Sequence, residues 1–293
     1  MCDDRTSQDA EHYLRRHGLT RRDFSKQVAG AGLAMLLPPV ANAVAVVESD
    51  VAIPTPDGQA DCYFVRPQSG AHAAVIVWPD VMSIRPAFRA MGKRLAESGY
   101  SVLVVNPYYR THKGEILPEG KSFGDPGVRE MLMPHARSLS PQTCVTDGRA
   151  FVEWLDAQPS VDAARMMGTT GYCMTGSYVL RLAAAIPKRI GAGGSFHGGG
   201  LATDADDSPH LLIPKMDPDV EFLIAIAEND DERNPQEKVL LREAFAATGI
   251  DAEIEVYEGA MHGWCPPGSP VYNEAQAERA WGRLLALLER KLA

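Results

Sequence analysis

Three side chains of complementary chemistry stand at the ends of apolar runs. Cys173 lies between glycines in Gly171-Tyr-Cys-Met-Thr-Gly176, directly after the strand-like RMMGTTGY and directly before the helix-like SYVLRLAAAI. Asp230 follows EFLIAIA, and His262 follows the strand-like DAEIEVYEG. A thiol at a sharp strand-to-helix corner aims its sulfur at the helix N-terminus, where the amide dipoles favour thiolate. An imidazole exchanges a proton near neutral pH, and a carboxylate on its second ring nitrogen fixes its tautomer and orientation. A nucleophile, an acid and a histidine of these types are the set used in covalent nucleophilic catalysis. Asp231 competes with Asp230 through a one-residue slip of the loop, and the distance to the preceding strand favours Asp230. A cysteine in an apolar sequence is ordinarily buried filler. That reading is kept for Cys62, Cys144 and Cys265, whereas the glycine-flanked corner sets Cys173 apart.

The elements that must position these residues alternate along the chain. VAIPTPDGQADCYFVRP reads as two short strands around an Asp57-Gly58 turn. AAVIVW at 73–78 is continuously apolar, as a strand covered on both faces is. The segment beginning PAFRAMGKRLAESGY reads as a helix between Pro86 and Gly99, and SVLVV at 101–105 as the next strand. Residues 110–141 are polar, contain Gly and Pro, and form a long connection of the kind that often closes over a site. Further on, QTCVTDGRAFVEWLDAQ, SYVLRLAAAI, EKVLLREAFAATG and EAQAERAWGRLLALLERKL read as helices. RMMGTTGY, GAGGSFHG, EFLIAIA and DAEIEVYEG read as strands between them. This alternation predicts one doubly wound, mostly parallel α/β domain with helices on both faces, whose site lies at the carboxyl ends of the strands.

Composition narrows the partners. The 293 residues are 45% hydrophobic and 23% charged, enough for a sizeable core, and the formal charge is −9. An acidic chain argues against a broad basic face for nucleic acid or anionic lipid. The five cysteines show no CxxC or CxxH spacing, so no metal site is expected, and a disulfide among Cys62, Cys144 and Cys265 stays open. At the N-terminus, Thr20-Arg-Arg-Asp-Phe-Ser-Lys26 precedes the short apolar QVAGAGLAMLLPPV and then Ala41-Asn-Ala43. This order reads as a twin-arginine export signal occupying residues 1–43, ahead of a domain at 44–293. The apolar run is too short for a stable membrane anchor. The expected partner is then the twin-arginine export machinery and the expected location the periplasm, or the cytoplasm if the signal is not used. An ordinary amphipathic helix is the alternative.

The chain resembles the dienelactone hydrolase family of α/β-hydrolases. GYCMTG is similar to the family's GYCxGG nucleophile elbow and MHGW to its HGF-type histidine loop. WPDVMSIRPAFRAMGKRLAESGYSVLVVNPYYR is similar to its stretch from the third strand into the fourth. The resemblance runs from about residue 50 to 290. It implies an α/β-hydrolase fold, a Cys173–Asp230–His262 triad, and an oxyanion hole from the amides of Val81 and Met174. It places Asp80 where an acidic residue tunes the resting thiol, and Arg110 where an arginine contacts substrate carboxylate. The expected activity is carboxymethylenebutenolidase-like cleavage of a small-molecule ester or lactone through an acyl-enzyme, without cofactor. An acyl or thioester transferase, or a non-catalytic binding protein on the same scaffold, remains as an alternative. Three positions depart from the pattern: Thr175 replaces an elbow glycine, Asp80 is shorter than the common glutamate, and Pro266 stands about where dienelactone hydrolase itself has a second substrate-binding arginine. Arg110 also reads as a partner for a nearby carboxylate. The His197-Gly-Gly-Gly200 run follows the nucleophile rather than preceding it, so it reads as a tight strand end beside the site, with substrate contact by His197 left open.

Overall fold

The structure is a computed structural model that describes residues 4–16, 37–118 and 120–293. The twin-arginine motif and its apolar run fall largely outside these residues. A helix, α1 (Asp4–Arg16), stands before the main body. Val46–Thr55 (β1) and Gly58–Pro67 (β2) form the expected antiparallel hairpin, closing at Thr55 opposite Gly58. Gly58 has φ 136°, a conformation that side chains rarely adopt, which explains the glycine after Asp57.

The parallel portion follows as Ala74–Trp78 (β3), Ser101–Val105 (β4), Met167–Tyr172 (β5), Ile190–Phe196 (β6), Glu221–Ala227 (β7) and Ala252–Tyr257 (β8). Among the described residues these eight strands make one sheet in the order β1-β2-β4-β3-β5-β6-β7-β8. Pairing is parallel from β4 through β8 and antiparallel at the β1–β2 and β2–β4 borders. The strands carry continuous apolar runs because both faces are covered, and the pleat still sorts the side chains. Ile76, Leu103, Phe222 and Ile224 enter the core on one face. Val75, Val77, Val102, Val104, Leu223 and Ala225 enter the core on the other. The first face is covered by Pro141–Asp156 (α4), Gly176–Ala185 (α5) and Pro235–Thr248 (α7) through Phe151, Leu155, Val179, Leu182, Leu241 and Phe245. The second is covered by Pro86–Glu97 (α2) and Glu274–Leu292 (α8) through Phe88, Met91, Leu95, Leu284, Leu287 and Leu288. Each such side chain contributes about 1.5–3 kcal/mol when fully buried, so the helices are held by their apolar stripes rather than by propensity.

Two stretches differ from the sequence expectation. The connection at 110–141 contains a helix, Val128–Arg137 (α3), with Pro134 inside it. Its Val128 and Leu132 pack with Val81, Tyr108 and Ile116 into a small third core. That packing offsets the helix-breaking effect of proline, which local composition alone overstates. After β7, Glu228–Arg233 (α6) forms a short helix where a plain loop was expected, and it carries Asp230.

Candidate active site

Cys173 stands at the corner between β5 and α5, as the sequence expects, in a single 3-10 turn over Cys173–Thr175. Its φ is +56°, the left-handed region, which costs an L-residue about 1–2 kcal/mol. The flanking glycines permit the corner sterically. A Cβ on Gly171 would lie 2.2 Å from the Thr175 carbonyl oxygen, and one on Gly176 would lie 2.5 Å from the Gly198 Cα. Thr175, the departure from the family pattern, acts as a staple. Its buried Oγ1 accepts from the Tyr172 amide at 3.0 Å and lies 2.8, 2.9 and 2.9 Å from the carbonyls of Trp78, Pro79 and Tyr172. Its single proton serves those carbonyls in turn, tying the end of β5 to the end of β3.

The histidine and the acid arrive from the strands beyond. His262 follows β8, and its amide donates to Asn229 Oδ1 at 2.8 Å. Its Nδ1 lies 2.6 Å from Asp230 Oδ2. Asp231 instead pairs with Lys238, so the slip that would exchange the two aspartates does not occur. The imidazole also hydrogen-bonds the Cys173 side chain, which brings all three residues together. Burial by itself would lower the proton affinity of His262, but the Cys173 sulfur and the Asp230 carboxylate outweigh it and push the pKa up to about 10. The arrangement favours a protonated His262 beside the Cys173 sulfur.

Val81 follows β3, across from Cys173. Met82 donates to Asp80 Oδ1 at 2.9 Å and Ser83 to the Asp80 carbonyl at 2.9 Å, while the Val81 amide stands outside these bonds. Tyr108, which sequence reasoning missed, is buried with its hydroxyl donating to the Val81 carbonyl at 2.9 Å and lying 3.6 Å from Met174 Sδ. It therefore braces both segments of the expected oxyanion hole; the only prior signal was its place in the NPYYR run. Asp80 lines the cavity, but Arg85 grips both of its oxygens, at 2.6 and 2.8 Å. Arg85 is the second residue that sequence reasoning passed over.

Arg110 is not among the residues lining the cavity. Its guanidinium holds Asp147 in a two-pronged bond at 2.6 and 2.8 Å and reaches Asp57 as well. It joins the β1–β2 turn to α4, which is the carboxylate-partner reading of that residue. Cys62, Cys144 and Cys265 are buried free thiols, each raised by burial above the ordinary thiol range. Cys265 borders a separate, smaller cavity beneath Tyr172 and Trp281 rather than the one at Cys173.

The cavity at Cys173, of about 100 Å³, is bounded by Cys173, His262, His197, Asp80, Val81 and Met82. Residues 120–125 of the long connection close one side, and Ser269, Pro270 and Val271 another. Helix α1 roofs it with Thr6, Ala10, Glu11 and Leu14. Asp9 anchors that roof by accepting from Asn229 Nδ2 at 3.0 Å and by pairing with Arg233. Because Asn229 and Arg233 flank Asp230, the helix is fastened to the same turn that carries the acid. Among the described residues no group of side chains is arranged to hold a metal ion.

Strand order and corner geometry define an α/β-hydrolase fold. A profile of the dienelactone hydrolase family matches residues 60–292, and the chain belongs to that family. It is 27% identical over 238 residues to a Salmonella typhi protein provisionally called a carboxymethylenebutenolidase, covering 80% of this chain and 84% of that one. A carboxymethylenebutenolidase of Rhodococcus opacus is 25% identical over 235 residues, covering 76% and 83%. Among solved structures, a Klebsiella pneumoniae protein provisionally called a dienelactone hydrolase superposes with a TM-score of 0.71 at 22% identity, over 84% of this chain and 99% of that one.

Proposed function

We propose that the protein hydrolyses a small carboxylic ester or lactone through a thioester acyl-enzyme on Cys173, in the manner of a carboxymethylenebutenolidase. The sulfur attacks the carbonyl carbon, and the carbonyl oxygen becomes an oxyanion held by the amides of Val81 and Met174. As the tetrahedral adduct collapses, the bond to the leaving oxygen breaks and that oxygen takes the proton from His262 Nε2, the ring nitrogen opposite Asp230. Water then attacks the acyl carbon while His262 takes its proton, and the Cys173 sulfur departs as the anion. The observation that carries this reading is the run of contacts from Asp230 Oδ2 to His262 Nδ1, at 2.6 Å, and from the imidazole to Cys173. Replacing Cys173 by Ala is expected to abolish hydrolysis of a panel of small esters and lactones with the fold intact, as read by circular dichroism. Retained turnover rejects the mechanism.

The same reading includes export. Residues 1–43 are proposed to be a twin-arginine leader removed after Ala43, which takes α1 off the cavity with it. The precursor then holds a roofed site and the mature enzyme an open one. N-terminal sequencing of the periplasmic protein tests this; a periplasmic form beginning at Met1 overturns it.

A further inference from the structure

His197 is a buried polar residue of the cavity for whose ring the described residues supply no hydrogen-bond partner. It follows β6, is 1% exposed, and lines the cavity with Cys173 and His262. Its backbone is pinned by donation of its amide to the Ala225 carbonyl at 2.8 Å, and its φ of +39° is strained for any residue but glycine. The ring packs edge-on against His262, centroids 5.0 Å apart, with Tyr172 and Trp264 behind it. Among the described residues neither Nδ1 nor Nε2 has a hydrogen-bond partner. Burial, then the neighbouring charge of His262, holds its pKa well below the ordinary histidine value, so the ring is neutral. A neutral imidazole presents one N–H and one lone pair, and leaving both unmet in a buried place is unfavourable. Phenylalanine would fill the same volume without that penalty, so space-filling does not account for the residue.

The sheet order says which part of a substrate the ring meets. Val81 follows β3 and His197 follows β6, and these two strands flank β5, whose end carries Cys173. An oxyanion drawn toward the Val81 amide leaves the opposite side of the carbonyl carbon facing His197 and His262. That is where the leaving group must lie to receive a proton from His262. We propose that His197 is a catalytic residue whose ring N–H hydrogen-bonds the leaving oxygen of an ester or lactone, and afterwards the hydrolytic water that enters the same place. This rests on the acyl-enzyme reading above and adds a substrate class to it. The site selects oxygen leaving groups that depart poorly, alkoxides and lactone ring oxygens, over thioesters, because sulfur is a weak hydrogen-bond acceptor.

The test compares the unsubstituted full-length protein with His197→Phe on three acetyl donors: an alkyl ester, its 4-nitrophenyl counterpart and the matching alkyl thioester. A hydrogen bond to a developing oxyanion predicts a loss of about 10- to 100-fold in kcat/KM on the alkyl ester. Nitrophenolate needs little help, and a thiolate accepts poorly, so on the other two substrates the loss is expected to stay within about threefold. His197→Gln, which keeps an N–H on a planar group, is expected to recover part of the alkyl-ester rate. If the phenylalanine variant does not fold, His197→Leu takes its place. Equal losses on all three substrates, or no loss on the alkyl ester, overturn the role of His197 while leaving the acyl-enzyme in place. Absence of turnover of all three by the unsubstituted protein overturns both.

Discussion

Replacing Cys173 by alanine and, separately, by glycine tests whether the corner is built as described, without reference to any substrate. At an ordinary position glycine is less stable than alanine by about 0.5–1 kcal/mol, because the unfolded chain gains backbone freedom. At φ +56° the order inverts. Alanine keeps a strain of about 1–2 kcal/mol that glycine does not feel, and the entropic difference of about 0.5–1 kcal/mol offsets only part of it. The glycine variant is therefore expected to be more stable than the alanine variant by about 0.5–1 kcal/mol, roughly 1–4 °C in melting temperature for a chain of this size. Both lose the buried sulfur, so that loss cancels in the comparison, and both are expected to be inactive. Urea unfolding of the two proteins side by side measures the difference. A glycine variant less stable than the alanine variant by the ordinary 0.5–1 kcal/mol would refute the strained corner, and with it the account of how the sulfur is presented.

Other outcomes follow from the same geometry. Asp230→Asn removes one of the two groups that raise His262, and a fall in kcat of about 10²- to 10⁴-fold is expected, as for the corresponding carboxylate of a serine triad. The stability that the charged imidazole contributes is fully present below about pH 6.5 and is lost as pH rises from there through about 10, where the folded protein gives up that proton. In the asparagine variant the folded-state value is lower, so this fading is complete at lower pH and is smaller in total, as melting temperatures measured from pH 6 to 11 will show. Arg110→Met leaves the Asp147 carboxylate buried beside Tyr109 without its cation, and a loss of about 3 kcal/mol in urea unfolding is expected, with no change in preference between charged and neutral lactones. Deleting residues 1–43 removes the α1 roof and is expected to raise kcat/KM most for bulky esters. Equal rates for the full-length and shortened proteins would show that the roof does not obstruct.

Much of the architecture was legible because its signals are local. Continuous apolar runs at 73–78, 101–105 and 221–227, separated by amphipathic segments, dictate a parallel sheet covered on both faces, and the structure places them in β3, β4 and β7. The glycines around Cys173 marked the corner because only hydrogen fits at Gly171 and Gly176. The choice of Asp230 over Asp231 rested on one residue of spacing, and the short helix α6 decides it by turning the second carboxylate toward Lys238.

What tertiary structure alone decided are contacts between segments far apart in sequence. Arg110, in the connection after β4, meets Asp147 of α4 across 37 residues and Asp57 of the β1–β2 turn across 53, and no local pattern announces either meeting. Tyr108 reaches the Val81 carbonyl across 27 residues, and the roof of α1 over Cys173 joins the two ends of a still longer separation. His197 in a glycine-rich run looked like a strand end, and its significance appears only once the folded chain encloses the ring and both nitrogens find no partner among the described residues. Side-chain periodicity fixes which elements form and which faces they bury. Which polar groups find partners depends on how those elements come to rest against one another, and there the chemistry of the cavity is decided.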